Sequence, residues 1–168
     1  MQLKETKNIL NQFAKYVIQQ SRTNLSKGDK NSSKKLYNSL DYKISESSKG
    51  IAIQFLMDEY GVYQDKGVRG KKSYYADKAT SSSPFSYKSK MPPSKAFDKW
   101  AVRKGIAPRD KSGKFIPRKT INFLIARSVF NKGIRASLFF TKPFEKAFER
   151  LPKDLIKVFI NDIEKTIE

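Results

Sequence analysis

Apolar residues near the start of the chain recur at the spacing of a helix. Leu10, Phe13 and Val17 fall on one side of a helical projection, and the residues between them are mostly polar. This spacing is typical of an amphipathic helix of about four turns. The stretch from 21 to 35 that follows is rich in Ser, Asn, Lys and Gly, and such a composition predicts a loop.

Alternating apolar and polar residues come next. They cover two runs, 40–44 and 51–57, which are separated by a Ser-Ser-Lys-Gly sequence. Alternation with a period of two on either side of a Gly-containing connection predicts a β-hairpin. A short helix over 60–66 is expected to follow and to end at Gly67, because glycine readily adopts the backbone conformation that closes a helix.

Three more helical stretches occupy the second half of the chain. Pro93 and Gly105 bound the first, and an apolar stripe at 121–129 marks the second. Thr141 is placed to cap the third, in which Pro152 predicts a break. Together with the hairpin, these patterns predict an α+β fold in which amphipathic helices pack on a small antiparallel sheet.

Residues 68–90 interrupt the regular patterning. This segment consists largely of Lys, Ser, Tyr and Gly with few aliphatic residues. Because it can bury little apolar surface, we predict a long protruding basic loop or hairpin arm that becomes ordered only on assembly. The 168 residues otherwise suit a single connector domain, with this arm and a C-terminal helical region at about 142–168.

Positive charge is concentrated in the middle of the chain. The formal net charge is +19, and residues 66–120 hold sixteen Lys or Arg against three acidic residues, whereas 141–168 hold six of each. Such a field attracts phosphate backbones or acidic protein surfaces. A solvated, lysine-rich arm that pairs with acidic neighbours is the simpler interpretation. The predicted contacts to a partner or to DNA are Lys66, Arg69, Lys71, Lys72, Lys78, Lys88 and Lys90.

The residue types missing from the chain restrict its chemistry. It contains no cysteine and no histidine, which excludes disulfides, zinc sites with Cys or His ligands, thiol nucleophiles and Ser-His-Asp catalysis within this chain. Sites made only of carboxylates remain open. Asp154, Asp162 and Glu164, however, fall on the polar side of an amphipathic stretch and are expected to be solvated. We therefore expect no enzyme activity, no cofactor and no metal.

Membrane and targeting signals are also missing from the pattern. No run of about 18 apolar residues is present, and the first residues lack the apolar core of a signal peptide. Synthesis and residence in a cytoplasm, with no membrane contact, are therefore expected.

The order of short motifs between Ser86 and Phe148 is the most specific feature of the sequence. A Pro-Pro pair opens a helix that holds the chain's one Trp, a Gly-Ile pair follows each of two helices, and a Phe-Phe-Thr-Lys-Pro sequence begins the C-terminal region. This order resembles the small neck proteins of tailed bacteriophages, the head-tail connector and tail-completion family. The resemblance implies a structural virion protein that forms a ring between portal and tail, joins head to tail, and lines or seals the DNA channel.

The resemblance also implies the partners. These are copies of the chain in a ring, with about twelve favoured over about six, together with the portal or adaptor ring and tail proteins. Genomic double-stranded DNA in the channel is a further candidate. The expected location is the virion neck, after assembly in the host cytoplasm. Trp100, Phe139 and Phe140 are predicted at the subunit interface, since adjacent residues of an extended chain point to opposite faces and one of the two Phe rings would face outward.

A second interpretation is a sequence-nonspecific nucleic-acid-binding accessory protein. Charge is its only positive argument. For the cations of the predicted arm, acidic surfaces on portal or tail subunits are favoured over DNA, because a channel that bound DNA tightly would also resist its exit.

Overall fold

The computed structural model describes residues 4–28, 33–47, 50–72 and 75–158. It combines helices with a small antiparallel sheet, and the α+β prediction is confirmed. The chain divides into two compact units: unit 1 consists of Met1–Asp58 and Phe139–Glu168, and unit 2 consists of Glu59–Leu138. The expectation of a single domain stays a prediction.

The first four described elements and the last two belong to unit 1, and those between them belong to unit 2. In order, the elements are α1 (Lys4–Lys27), α2 (Lys35–Ser39), β1 (Asp41–Ser47), β2 (Gly50–Leu56), α3 (Tyr60–Lys66), β3 (Val68–Arg69), α4 (Lys78–Ser81), a 3-10 helix (Ser94–Phe97), α5 (Asp98–Arg103), α6 (Arg118–Lys132), β4 (Gly133–Ile134), α7 (Thr141–Phe148) and α8 (151–158).

Helix α1 is longer than its apolar pattern predicted. The loop expected from Ser21 onward is wrong for 21–27, which are helical. Leu25 is fully buried, and the buried Ser21 hydroxyl donates to the Val17 carbonyl at 2.7 Å. Ser21 and Leu25 continue the helical spacing from Ile18, so the buried face persists although the composition turns polar. The predicted loop positions 29–32 lie outside the described residues.

The predicted β-hairpin is confirmed. Tyr42 pairs with Phe55 and Ile44 with Ile53 in the antiparallel register of β1 and β2. These four side chains are half-buried and share one face of the sheet, while the intervening residues are mostly exposed. The sheet therefore lays an apolar face against the rest of unit 1.

The core of unit 1 is built largely from aromatic rings. The Phe55 ring lies edge-on to those of Phe13, Phe140 and Phe144, with centroid distances of 6.1, 5.3 and 5.8 Å. Edge-to-face pairs of this kind contribute about 0.5 to 1.5 kcal/mol each beyond their burial. The rings thus join α1, the hairpin and α7 in one apolar cluster.

The C-terminal helices begin close to their predicted positions. Thr141 is the first residue of α7 rather than its cap, a position held by Phe140 without a side-chain cap. The predicted break is confirmed, since α7 ends at Phe148 and α8 begins at 151 with Pro152 in its first turn. A proline is tolerated there because the first helical N–H groups have no intrahelical acceptor. Positions 159–168 of the predicted region lie outside the described residues.

Unit 2 contains a very short ladder of three chain segments. Val68 pairs with Ile134 and Arg69 with Gly133, and Arg69 also forms a parallel bridge with Ser86. Gly67, at a φ of +73°, ends α3 as predicted and leads into this ladder.

The described part of the 68–90 segment differs from the protruding arm expected from the sequence. Thr80 and Ser83 are buried, and the Ser83 hydroxyl donates to the Gly67 carbonyl at 2.7 Å. The Arg69 N–H donates to the Phe85 carbonyl, and the Tyr87 N–H donates to the Arg69 carbonyl, both at 2.9 Å. Backbone and hydroxyl hydrogen bonds thus hold a segment that has few aliphatic side chains to bury.

Helix α6 buries a different face from the one its apolar residues indicated. Ile121, Asn122 and Ala126 are buried, whereas Leu124 is 49% exposed. Asn122 can be buried because its side-chain amide donates to the Asp98 carboxylate at 3.0 Å. A polar partner on α5, which the sequence pattern does not reveal, therefore rotates the buried face away from Leu124.

Candidate functional site

The positive charge of the chain belongs mainly to unit 2. Its residues, 59–138, include nineteen Lys or Arg against five Asp or Glu, while the rest of the chain has sixteen against eleven. Unit 2 therefore carries a surplus of fourteen out of the net +19. Any polyanionic or acidic partner will be drawn to this unit first.

The seven cations predicted as contacts are spread over several elements of unit 2. Lys66 ends α3, Lys78 begins α4, and Arg69 is half-buried in β3. The Nε atom of Arg69 is buried and makes no hydrogen bond within the described residues. The remaining four, like Lys66 and Lys78, are exposed: Lys71, Lys72, Lys88 and Lys90.

Phe130, near the end of α6, brings two parts of the predicted segment together. The Lys71 ammonium lies 5.5 Å from the centre of the Phe130 ring, and the Tyr87 ring lies 5.9 Å from it. The backbone N–H groups of Lys71 and Lys72 donate to the carbonyls of Phe130 and Asn131. These two hydrogen bonds satisfy carbonyls in the last turn of α6 and so help to close the helix. Burial raises the pKa of the Tyr87 phenol above its ordinary value of 10.0.

Asp77 is the centre of a hydrogen-bonded network that also includes Arg135, another cation of unit 2. The Asp77 carboxylate accepts from the Thr80 N–H and hydroxyl, both at 2.9 Å, and lies 3.5 Å from the Arg135 guanidinium. Thr80 in turn accepts from the Ala136 N–H at 2.9 Å. The hydrogen bond from the Thr80 N–H is the main cause that lowers the pKa of Asp77 below its ordinary value of 3.8. The network ties α4 to the chain that follows β4.

This lowered pKa predicts an acid-dependent loss of stability in unit 2. Ionised Asp77 stabilises the folded state above pH 3.8, and that contribution disappears as the pH falls through the lower folded pKa. Asp77→Asn keeps an acceptor for the Thr80 N–H but not the charge. It should cost about 1 kcal/mol or less near neutral pH and flatten the stability curve in acid. Denaturant unfolding between pH 2 and 7 measures both, and an unchanged acid slope would contradict the assignment.

The residues predicted for a subunit interface differ in how much of their side chains is exposed. Trp100 on α5 is 38% exposed. Phe139 is only 1% exposed, so its prediction as an interface residue is corrected: its ring fills the core of unit 1 and has almost no surface left for another subunit. Phe140 is half-buried against Phe55 and Phe144. Both rings of the Phe-Phe pair therefore serve mainly the packing of unit 1.

A hairpin at 109–115 lies between α5 and α6, in a stretch of the sequence that is basic and rich in turn residues. We call it the basic hairpin. It begins and ends with the bridge between Arg109 and Phe115, and the Asp110 carboxylate accepts hydrogen bonds from Ser112 and Lys114 inside it. The Ser112 hydroxyl bond is the main cause that lowers the pKa of Asp110. The Asp-Lys-Ser-Gly sequence was the available signal, because Asp and Gly at these spacings are typical of an Asx turn.

Unit 2 also exposes several large apolar side chains. They lie on α5, on the basic hairpin and on α6, and they are Trp100, Val102, Phe115, Phe123 and Leu124, with exposures from 38% to 61%. Single exposed apolar residues are ordinary on a protein surface. Five of them on three consecutive elements of one unit nevertheless offer apolar side chains that a partner could cover.

An aromatic groove of about 540 Å³ lies elsewhere in unit 2. Tyr60, Tyr63, Phe85 and Tyr87 line it together with Lys88, and the Tyr63 and Phe85 rings meet edge-on at 4.7 Å.

Two further findings apply to the described residues only. Within 4–28, 33–47, 50–72 and 75–158, no group of three or more acidic side chains could hold a metal ion; Asp154 is exposed on α8, and Asp162 and Glu164 lie outside those ranges. Among the helices that the structure describes, none has the length and apolar character needed to cross a membrane.

No protein-family model, curated protein or solved structure matches this chain.

Proposed function

We propose that this protein is a structural virion component that assembles with copies of itself into a ring in the neck of a tailed bacteriophage. In this role it joins head to tail between the portal or adaptor ring and the tail proteins, and it acts without catalysis. The motif order from Ser86 to Phe148 supports the proposal, since its Pro-Pro start, both Gly-Ile exits and its Phe-Phe start each lie at the boundary of a helix.

The exposed apolar side chains of α5 and α6 are the observation that carries the proposal. Val102 is 55% exposed and Leu124 is 49% exposed, although an isolated subunit gains nothing by leaving such side chains in water. A head-to-tail contact between identical subunits would bury these side chains on every copy, and repetition of that contact forms a ring when the rotation between neighbours closes.

The cations of 66–90 suit contacts with acidic surfaces of the neighbouring rings. Lys71, Lys72 and Lys78 are exposed, and charge complementarity of this kind mainly sets orientation and the rate of encounter. Docking of a preformed ring should therefore weaken as salt rises, whereas the apolar contacts within the ring should not.

Native mass spectrometry and negative-stain electron microscopy of the purified chain test the ring. The wild type should give closed oligomers that increase with concentration, and Leu124→Glu should shift the population to monomers by at least about tenfold, since a buried unpaired charge is costly. Leu124 is exposed in the subunit, so the variant should still fold.

Ile156→Glu is the matched control for this substitution. Ile156 on α8 is 62% exposed, but it belongs to unit 1. Its substitution should leave the oligomer distribution unchanged. A wild-type chain that stays monomeric at every concentration, or a control that dissociates as strongly as Leu124→Glu, would overturn the proposal.

The second candidate, sequence-nonspecific nucleic-acid binding, has one structural observation in its favour. This observation is the ordered, strongly basic hairpin at 109–115, in which the one acidic side chain is hydrogen-bonded within the turn.

A further inference from the structure

We propose that the basic hairpin binds the phosphate backbone of double-stranded DNA without reading its sequence. The residues of the basic hairpin lie outside the predicted contacts at 66–90. Their binding to DNA would depend on the geometry of unit 2 and not on ring assembly.

The backbone of the basic hairpin is closed by hydrogen bonds at several levels. The Asp110 N–H donates to the Lys114 carbonyl at 2.8 Å, and the Ile116 N–H donates to the Pro108 carbonyl at 3.0 Å. At the tip, Gly113 has a φ of +82° and donates to the Asp110 carbonyl at 3.0 Å. The loop is therefore a defined turn whose shape is set before any partner arrives.

Asp110 organises the turn rather than opposing its positive charge at the surface. Its Oδ1 atom accepts from the Ser112 N–H at 2.9 Å, the Ser112 hydroxyl at 2.7 Å and the Lys114 N–H at 3.0 Å. A carboxylate that accepts three hydrogen bonds is a weaker competitor for the neighbouring cations. The turn thus uses the Asp110 oxygen as a hydrogen-bond acceptor, and an amide oxygen at this position could accept the same bonds.

Arg109 is held in place at the base of the hairpin. Its guanidinium carbon lies 3.9 Å from the centre of the Phe115 ring, and its Nη1 donates to the Gly113 carbonyl at 2.7 Å. A guanidinium fixed in this way loses less side-chain freedom when it binds a phosphate. Phe115, itself 61% exposed, serves as the support for the cation.

The charge distribution favours DNA over an acidic protein surface. Arg109, Lys111 and Lys114 are all exposed, and Asp110 is the one acidic residue between positions 99 and 132. Protein–DNA interfaces are much more positively charged than protein–protein interfaces. A cluster of one sign on a fixed turn matches a backbone that repeats the opposite charge at regular intervals.

Fluorescence anisotropy with a labelled mixed-sequence duplex of about 20 base pairs tests the inference. Changing Arg109, Lys111 and Lys114 together to Gln should lower affinity about 10- to 100-fold near 0.1 M salt. It should also reduce the slope of log K against log salt by about 2 to 3, because each phosphate contact contributes about 0.9 to that slope. Binding of a second duplex of different sequence should change in parallel.

Lys142, Lys146 and Lys153 provide the charge-matched control. All three are exposed on unit 1, and changing them to Gln removes the same net charge. This triple variant should keep the wild-type salt slope. An equal loss of affinity in both triple variants would overturn the inference, because binding would then depend on net charge alone.

Two substitutions of Asp110 distinguish the effect of the turn's shape on DNA binding from the effect of its charge. Asp110→Asn and Asp110→Ala both remove one negative charge, but only Asn keeps an acceptor for the N–H groups of Ser112 and Lys114. We expect Asp110→Asn to bind DNA as tightly as the wild type or more tightly, and Asp110→Ala to bind about 3- to 10-fold more weakly. Tighter binding by Asp110→Ala would contradict a preformed site.

Polyglutamate serves as the probe for an acidic protein partner. If the wild type binds polyglutamate but not the duplex at the same ionic strength, and the triple Gln variant loses that binding, the inference is overturned in favour of an acidic protein surface. Because every measurement uses the purified chain at concentrations below assembly, failure here is distinguishable from failure of the ring proposal.

Discussion

Gly133→Ala should destabilise unit 2 by at least about 3 kcal/mol. Gly133 has a φ of +84° and a ψ of −164°, a combination that is essentially restricted to glycine. An added Cβ would lie 2.0 Å from the Val68 carbonyl oxygen and 2.6 Å from the Gly70 nitrogen. Both contacts are with backbone, so the ladder between β3 and β4 would have to move apart.

Trp100 gives a local readout for this substitution. It is the chain's one tryptophan and it lies in unit 2, so its fluorescence during denaturant unfolding reports on the unit that should be affected. Gly133→Ala should lower the unfolding midpoint strongly, and amide exchange of the 68–70 backbone should accelerate.

Gly113→Ala is the matched control. Gly113 has nearly the same φ, +82°, but a Cβ added there would meet no atom within 4 Å. Only the cost of the left-handed conformation remains, about 1 to 2 kcal/mol. If both variants lost the same stability, the close approach at the ladder would not be what requires glycine at position 133.

Patterns that act over a few residues predicted much of this fold. The alternation of apolar and polar residues predicted which face of the β-hairpin is buried, and glycines predicted the ends of α3 and α6. These features depend on backbone conformation and on the period of burial, which are both local properties of the sequence.

Contacts between distant residues explain what the patterns missed. Thr80 is buried because it accepts a hydrogen bond from Ala136, 56 positions later, and the sequence of the 68–90 segment carries no sign of that partner. Helix α6 likewise buries the face that carries Asn122 because the Asn122 side chain donates a hydrogen bond to the distant Asp98. For Phe139 and Phe140, the geometry of an extended chain indicated that the two rings point to opposite sides. It did not indicate that both rings would pack against other residues of the same chain.

The sequence predicted the positive charge of the candidate site, but it did not predict the conformation of the basic hairpin. Composition identified the basic middle of the chain, and the exposure of most of its lysines follows from the cost of burying an unpaired charge. The turn around Asp110 and the placement of Arg109 over Phe115 depend on a few hydrogen bonds and one ring contact. Only those contacts distinguish the basic hairpin from a solvated loop of the same composition.

Phe139→Ala should destabilise unit 1 by about 3 to 5 kcal/mol. The Phe139 ring is 1% exposed and lies in a core cluster with Leu25 of α1, Leu36 of α2 and Leu40, which directly follows α2. Removing it leaves a cavity between elements that are fixed elsewhere, for example by the hydrogen bond at 3.2 Å from the Asn24 side chain to the Phe139 carbonyl. Because these elements can relax only partly, the cavity cost adds to the lost burial.

Hydrogen exchange measured by mass spectrometry on peptides from α1 is the suitable readout, since unit 1 lacks tryptophan. Phe148→Ala is the control: the same atoms are removed from a ring that is 51% exposed and stacked on Phe144, so the expected cost is below about 1 kcal/mol. If Phe139 instead served a contact between subunits, its substitution would dissociate the oligomer and leave α1 protection in the monomer unchanged. We expect the reverse, a loss of protection in the monomer itself, because the ring has no surface left to offer a partner.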